Sequence, residues 1–148
     1  MQVSNHFILQ EFVPKAIYDK WGEKSIQFID FRIVDFAELL RQNIARPIVI
    51  NNWHKGGIYQ ESGLRAFASK TGASMSQHKF GRAIDPKLLD DKGNIHKNSG
   101  AILRTHVFDH FDLYKHLITT TEADTGSWGH FDCRYTGMDN ILIVPFPK

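Results

Sequence analysis

The stretch that most constrains this chain is Ser76-Gln77-His78-Lys79-Phe80-Gly81-Arg82-Ala83-Ile84-Asp85. It sets a histidine and an aspartate seven residues apart with a glycine between them. Residues seven apart cannot both point inward from one straight strand, whose side-chain period is two. A turn or bulge between them removes the conflict, and Gly81 can adopt the backbone angles such a turn needs. Downstream, Ser127-Trp128-Gly129-His130-Phe131-Asp132 places another histidine in an apolar, strand-like context. Neutral imidazole and carboxylate are both zinc donors, and three protein ligands leave one tetrahedral position for water. His78, Asp85 and His130 are therefore the candidate ligands of a catalytic Zn2+ site. The bland alternative is unrelated surface histidines and a salt-bridged aspartate.

Composition narrows the partners. The chain has 148 residues, long enough to bury a real core, and reads as one domain over 1–148. A net charge of +2 with scattered basic residues gives no ground for a nucleic-acid partner. The single cysteine, Cys133, rules out an intramolecular disulfide and fits a reducing compartment. It lies three residues after His130, on the opposite strand face, and reads as packing. The first residues, Met1-Gln2-Val3-Ser4-Asn5-His6, lack a basic segment followed by a long apolar run, so no signal peptide is expected. No run reaches the roughly eighteen apolar residues of a membrane span.

Along the chain, residues 7–13 form a short apolar lead-in. Pro14 suits the first turn of a helix through about Trp21, and Gly22 ends it. Asp30 reads as the N-cap of a helix to about Ile44, with Ile33, Phe36, Ala37, Leu40 and Ile44 on one apolar face. Pro47–Asn51 is a short β-branched strand, followed by a glycine-rich loop through Gly57. Asp90-Asp91-Lys92-Gly93-Asn94 signals a turn, and a weakly periodic helix follows from about Lys97 to His110. His106 and His110 stand at i and i+4, but no Glu follows His106, so the zinc-helix motif is absent. Leu113–Glu122 reads as a strand and 123–127 as its turn. Trp128–Arg134 returns, with Trp128, His130 and Asp132 on one face and Glu122 opposite Trp128. Asn140–Phe146 is expected as a last, buried strand.

Ser-x-His-x-x-Gly-x-Ala-x-Asp followed by Trp-x-His-x-Asp resembles the zinc peptidases of the D-Ala-D-Ala carboxypeptidase type. These belong to the Hedgehog/DD-peptidase superfamily, which includes phage endolysin peptidases. The similarity is best over residues 47–135 and extends loosely to the whole chain. It implies His and Asp of the first motif and His of the second as ligands, with an acidic residue close by as base. The family usually carries Ser-Gly-Tyr-Arg near residues 52–55, where its arginine helps bind a substrate carboxylate or carbonyl. Here His54 or Lys55 stands in that place, and Arg65 could reach it from a longer loop, with a planar fork suited to a carboxylate.

A peptidase needs a carboxylate to take the proton of water and pass it to the leaving amine. Glu122, Asp124 and Asp132 are the candidates. Glu122 is preferred because a strand end is better placed than the turn tip at Asp124, although in many family members the acid lies closer to the second histidine. Asp132 shares a face with His130 and is also suited to orienting it.

The expected fold is α+β: N-terminal helices packed on a small antiparallel sheet, one face of which carries the zinc site. The expected function is hydrolysis of bacterial cell-wall stem peptides, with peptidoglycan peptide as the partner. The chain would be cytoplasmic on synthesis and act after release or as part of a phage particle. The rival readings are a related zinc hydrolase such as an amidase, and a non-catalytic zinc-binding or virion structural module.

Overall fold

The computed structural model describes residues 1–145. Helix α1 (Lys15–Trp21) starts after Pro14 and stops at Gly22, whose φ of 55° breaks the helical run. Helix α2 (Phe31–Ile44) is capped by the Asp30 carboxylate, which accepts from the Arg32 amide at 3.1 Å. Its period-3.6 face buries Ile33, Val34, Phe36, Ala37 and Leu40. That face meets the lead-in residues Phe7, Leu9, Phe12 and Val13 in one apolar cluster with Leu103, Val107, Tyr114 and Phe131. Phe36 lies at its middle, 5.5 Å from the Tyr114 ring and 5.1 Å from the Phe131 ring.

Two small sheets complete the α+β architecture. Strands β1 (Ile48–Val49) and β3 (Lys87–Leu88) pair antiparallel. The other four are β2 (Ala83–Ile84), β4 (Thr120–Glu122), β5 (Phe131–Asp132) and β6 (Leu142–Val144), in the spatial order β2-β5-β4-β6. Phe131 points from β5 into the core, so its neighbours His130 and Asp132 belong to the other face of the strand.

The larger sheet is mixed, which corrects the antiparallel expectation: β4 and β6 run parallel, with Thr120 opposite Leu142. After β5 the chain reverses once and passes β4 to its outer edge, where it runs in the direction of β4. As an edge strand β6 is also not buried, and Ile143 is 53% exposed. Phe146, expected as its last residue, lies outside the described residues. The strand expected from Leu113 begins only at Thr120. Phe111–Tyr114 is a short helix, α4, and the amides of Leu117 and Ile118 both bond the Tyr114 carbonyl. Burial of Tyr114 against Phe36 overrides the β-propensity of the run that follows. Helix α3 (Ser99–Asp109) is slightly shorter than expected. Among the described residues no helix is long and apolar enough to cross a membrane.

Candidate metal centre

His78 sits in a 3-10 turn, Gln77–Phe80, that closes on Gly81 at φ 67°. A side chain at Gly81 would be strained at that angle and would collide with the Phe28 carbonyl oxygen. The chain then enters β2, and Asp85 follows directly. Strand β2 pairs with β5 (Ala83 with Asp132, Ile84 with Phe131), and β5 pairs with β4 (Thr120 with Asp132, Thr121 with Phe131). Continuing both registers by one residue sets Asp85, His130 and Glu122 side by side across three adjacent strands. The Gly129 amide, bonded to the Pro86 carbonyl at 3.0 Å, extends the β2–β5 ladder past Asp85.

Three acceptor atoms converge here, all buried. His78 Nε2 lies 3.1 Å from Asp85 Oδ1 and 3.1 Å from His130 Nδ1, and His130 Nδ1 lies 2.9 Å from Asp85 Oδ1. The other nitrogen of each ring is already committed. His78 Nδ1 is 2.7 Å from the Gly63 carbonyl, which can only accept, so that nitrogen carries the proton. His130 Nε2 is 3.2 Å from Asp132 Oδ2. Asp132 also takes the Arg134 Nε at 2.9 Å and the Arg134 amide at 3.1 Å, which keep it ionised and an acceptor. Each ring therefore turns its remaining nitrogen toward Asp85 Oδ1. This buried trio could hold a metal ion.

Burial alone would raise Asp85, but the two histidines hold its carboxyl well below the usual range. Burial keeps His78 neutral by pushing its pKa down. Burial opposes charge on His130 too, yet Asp132 and Asp85 outweigh it and raise that ring to about 10. A proton on His130 Nδ1 still leaves the His78 lone pair facing Asp85 Oδ1, acceptor against acceptor. A cation at the centre satisfies all three.

The trio forms part of the wall of a cleft of about 530 Å³ that Glu122, Trp128, Arg65 and Arg134 also line. Glu122 thus stands across the sheet from His130, not opposite Trp128 as the sequence suggested. Residues 124–128 leave the sheet to dock on the start of α3, where the Gly100 amide bonds the Gly126 carbonyl at 2.9 Å. A Cβ at Gly100 would meet the carbonyls of Thr125 and Trp128, so this approach requires glycine. Asp124 is exposed at the tip of that loop with φ 57° and does not line the cleft.

Arg65 is buried beside Asp85. Its Nη2 donates to Asp85 Oδ2 at 2.7 Å, and its Nε donates to the Glu61 carbonyl at 2.7 Å. The fork expected to hold substrate is thus largely engaged with a candidate ligand. His54 stands apart in the turn Trp53–Lys55, its ring 5.9 Å from Trp53, and does not line the cleft. His106 and His110 form no site: His106 Nε2 pairs with the Tyr114 hydroxyl, and His110 Nδ1 with the His106 carbonyl, both at 2.9 Å. Cys133 packs in the core, where burial pushes its thiol up to about 12.

Sequence reasoning missed three supports. The Gly63 carbonyl is backbone and leaves no sequence signal. Arg134 does leave one, since it alternates with Asp132 and His130 on a single strand face. Lys87 donates from Nζ to the Asp85 carbonyl and to Ser62 Oγ, both at 2.8 Å, and burial lowers its pKa to about 8. Scans against known protein families, characterised proteins and solved structures found no match to this chain.

Proposed function

We propose that this chain is a zinc-dependent peptidase of the Hedgehog/DD-peptidase type that cleaves peptide bonds in bacterial cell-wall stem peptides. One observation carries the metal: three buried atoms able to ligate, at 2.9–3.1 Å from one another, with the far nitrogen of each histidine tied to an acceptor. A tetrahedron with donor distances of about 2.0–2.1 Å has edges of about 3.3 Å, and two imidazoles with one carboxylate are a zinc donor set. The peptide substrate is supported by the two motifs and their resemblance to the family.

A zinc ion held there supplies a Lewis acid for the scissile carbonyl and brings the pKa of water toward neutrality. The protein's side chains do the rest. Glu122, lining the cleft beside His130, accepts the proton of the attacking water and returns it to the leaving amine. Asp132 fixes His130 and the Gly63 carbonyl fixes His78, so each imidazole presents its lone pair without reorganisation. Asp132 is fully buried and spent on His130 and Arg134, which removes it from the candidates for the base. Arg65 positions Asp85.

Digestion of purified peptidoglycan followed by mass spectrometry of the released peptides tests this reading, with and without chelator and with His78→Ala. Release that the chelator abolishes and that His78→Ala removes is expected. Release indifferent to either would sink the assignment. Stoichiometric zinc without any release would point to the non-catalytic module of the same fold.

A further inference from the structure

A second recess, of about 630 Å³, opens beside the metal cleft. Trp21 and Phe28 form one side of it, edge to face at 5.7 Å, and Phe67 and Phe80 the other, edge to face at 5.5 Å. Phe67 is 70% exposed and Trp21 45%, so large apolar rings are left in water over one concave surface. A contiguous apolar patch of this kind marks a binding surface.

The charge of the groove has one sign. Lys20, Arg65 and Lys79 line it, and among the described residues no carboxylate does. Lys20 lies over the Trp21 ring at 5.4 Å, and Arg65 is engaged with Asp85. Lys79 is different. It is only 7% exposed, yet among the described residues its ammonium has neither an ion-pair nor a hydrogen-bond partner. The Lys79 stem packs into the wall while its ammonium reaches the water of the groove, where an anion can meet it. Lys79 directly follows the ligand His78, and Arg65 lines both recesses, so groove and cleft share a wall.

We propose that this groove seats a carboxylate-bearing segment of the peptide substrate, with the carboxylate on Lys79 Nζ and its apolar flank against Trp21 and Phe67. The identity of the peptide rests on the peptidase reading. The matching feature of a cell-wall stem peptide is a free glutamate carboxyl beside alanine-sized residues. An enzyme built this way discriminates against stem peptides in which that carboxyl is amidated, because an amide leaves Lys79 without its charge partner.

Binding, not cleavage, tests the proposal. Chelator-treated protein is titrated calorimetrically with two soluble stem tetrapeptides, one with the free glutamate carboxyl and one with it amidated. The free acid should bind about tenfold more tightly, the scale of one charge-assisted hydrogen bond at a partly open site. Lys79→Met should erase the difference between the two peptides, and Phe67→Ser, at an exposed position, should weaken both. Circular dichroism checks that each variant folds, and the wild-type preference decides the matter even where Lys79→Met does not. Equal affinities, no binding of either peptide, or a preference that survives Lys79→Met overturns the proposal. A preference that behaves as expected, in a protein that releases nothing from peptidoglycan, keeps the groove and removes the peptidase.

Discussion

Arg65 and Asp85 divide one carboxylate between two tasks. Nη2 of Arg65 holds Oδ2 at 2.7 Å, while Oδ1 of the same group faces His78 Nε2 and His130 Nδ1. The guanidinium fixes the rotation of the carboxylate and keeps it ionised, both of which a metal ligand needs. Arg65→Lys keeps the charge but replaces a planar fork with a point charge on a flexible stem. Metal affinity, read by competition with a chromophoric chelator, should fall by about 10–100-fold, the usual cost of losing a ligand's orienting partner. Unchanged affinity combined with a raised KM would return Arg65 to the role of substrate grip.

Glu122 and Asp124 are two residues apart and make opposite predictions. Glu122 lines the cleft across the sheet from His130, whereas Asp124 points from the tip of a loop docked on α3. Glu122→Gln keeps size but cannot accept a proton, so turnover should drop by about 10²–10⁴-fold with metal content retained. Asp124→Asn should stay near wild type. The reverse ranking would place the base on the loop.

Gly81 fixes the turn that delivers His78. Gly81→Ala forces a side chain into the left-handed region, at about 1–2 kcal/mol, and against the Phe28 carbonyl, where overpacking adds about 1–3 kcal/mol. Chemical denaturation should show a total loss in the range of about 2–5 kcal/mol, with weakened metal binding because the turn must shift. Wild-type stability would mean that the turn relaxes without cost.

Glu38 ties the first residues to α2. Its carboxylate accepts from Ser4 Oγ at 2.8 Å, the His6 amide at 3.0 Å, His6 Nδ1 at 2.7 Å and Gln42 Nε2 at 2.7 Å. Burial opposes the charge, but these bonds lower its pKa from 4.5 to about 2. A folded-state value below the unfolded one gives stability that is full above about pH 4.5 and is lost as pH falls toward 2. Glu38→Gln should therefore be less stable than wild type at neutral pH, with the gap closing across that window. Urea melts at several pH values measure it, and a gap independent of pH would remove the charge from the account.

Local rules carried the sequence reading where structure is local. Asp30 capped a helix whose apolar period needed only α2 itself, and Gly81 announced a left-handed turn between His78 and Asp85. The position of Glu122 was not readable, because it depends on a loop that leaves its strand to meet Gly100 of a distant helix. The same holds for the Tyr114 segment, where the ring's place against Phe36 decided between helix and strand. The parallel β6 was hidden for a related reason: nothing in Leu142–Val144 says which edge of the sheet it joins.

The candidate ligand atoms come from positions far apart along the chain, His130 following Asp85 by 45 positions. An ion that touches all three closes that loop, and the unfolded polypeptide offers it no comparable seat. Folding and loading are then one equilibrium, and a free ion at 100 times its dissociation constant adds about 2.7 kcal/mol to the native state. With a metal bound there, the melting temperature would become a gauge of how much free metal surrounds the protein. The same sequence would be firmer in a metal-replete medium and softer in a depleted one, before any substrate is present.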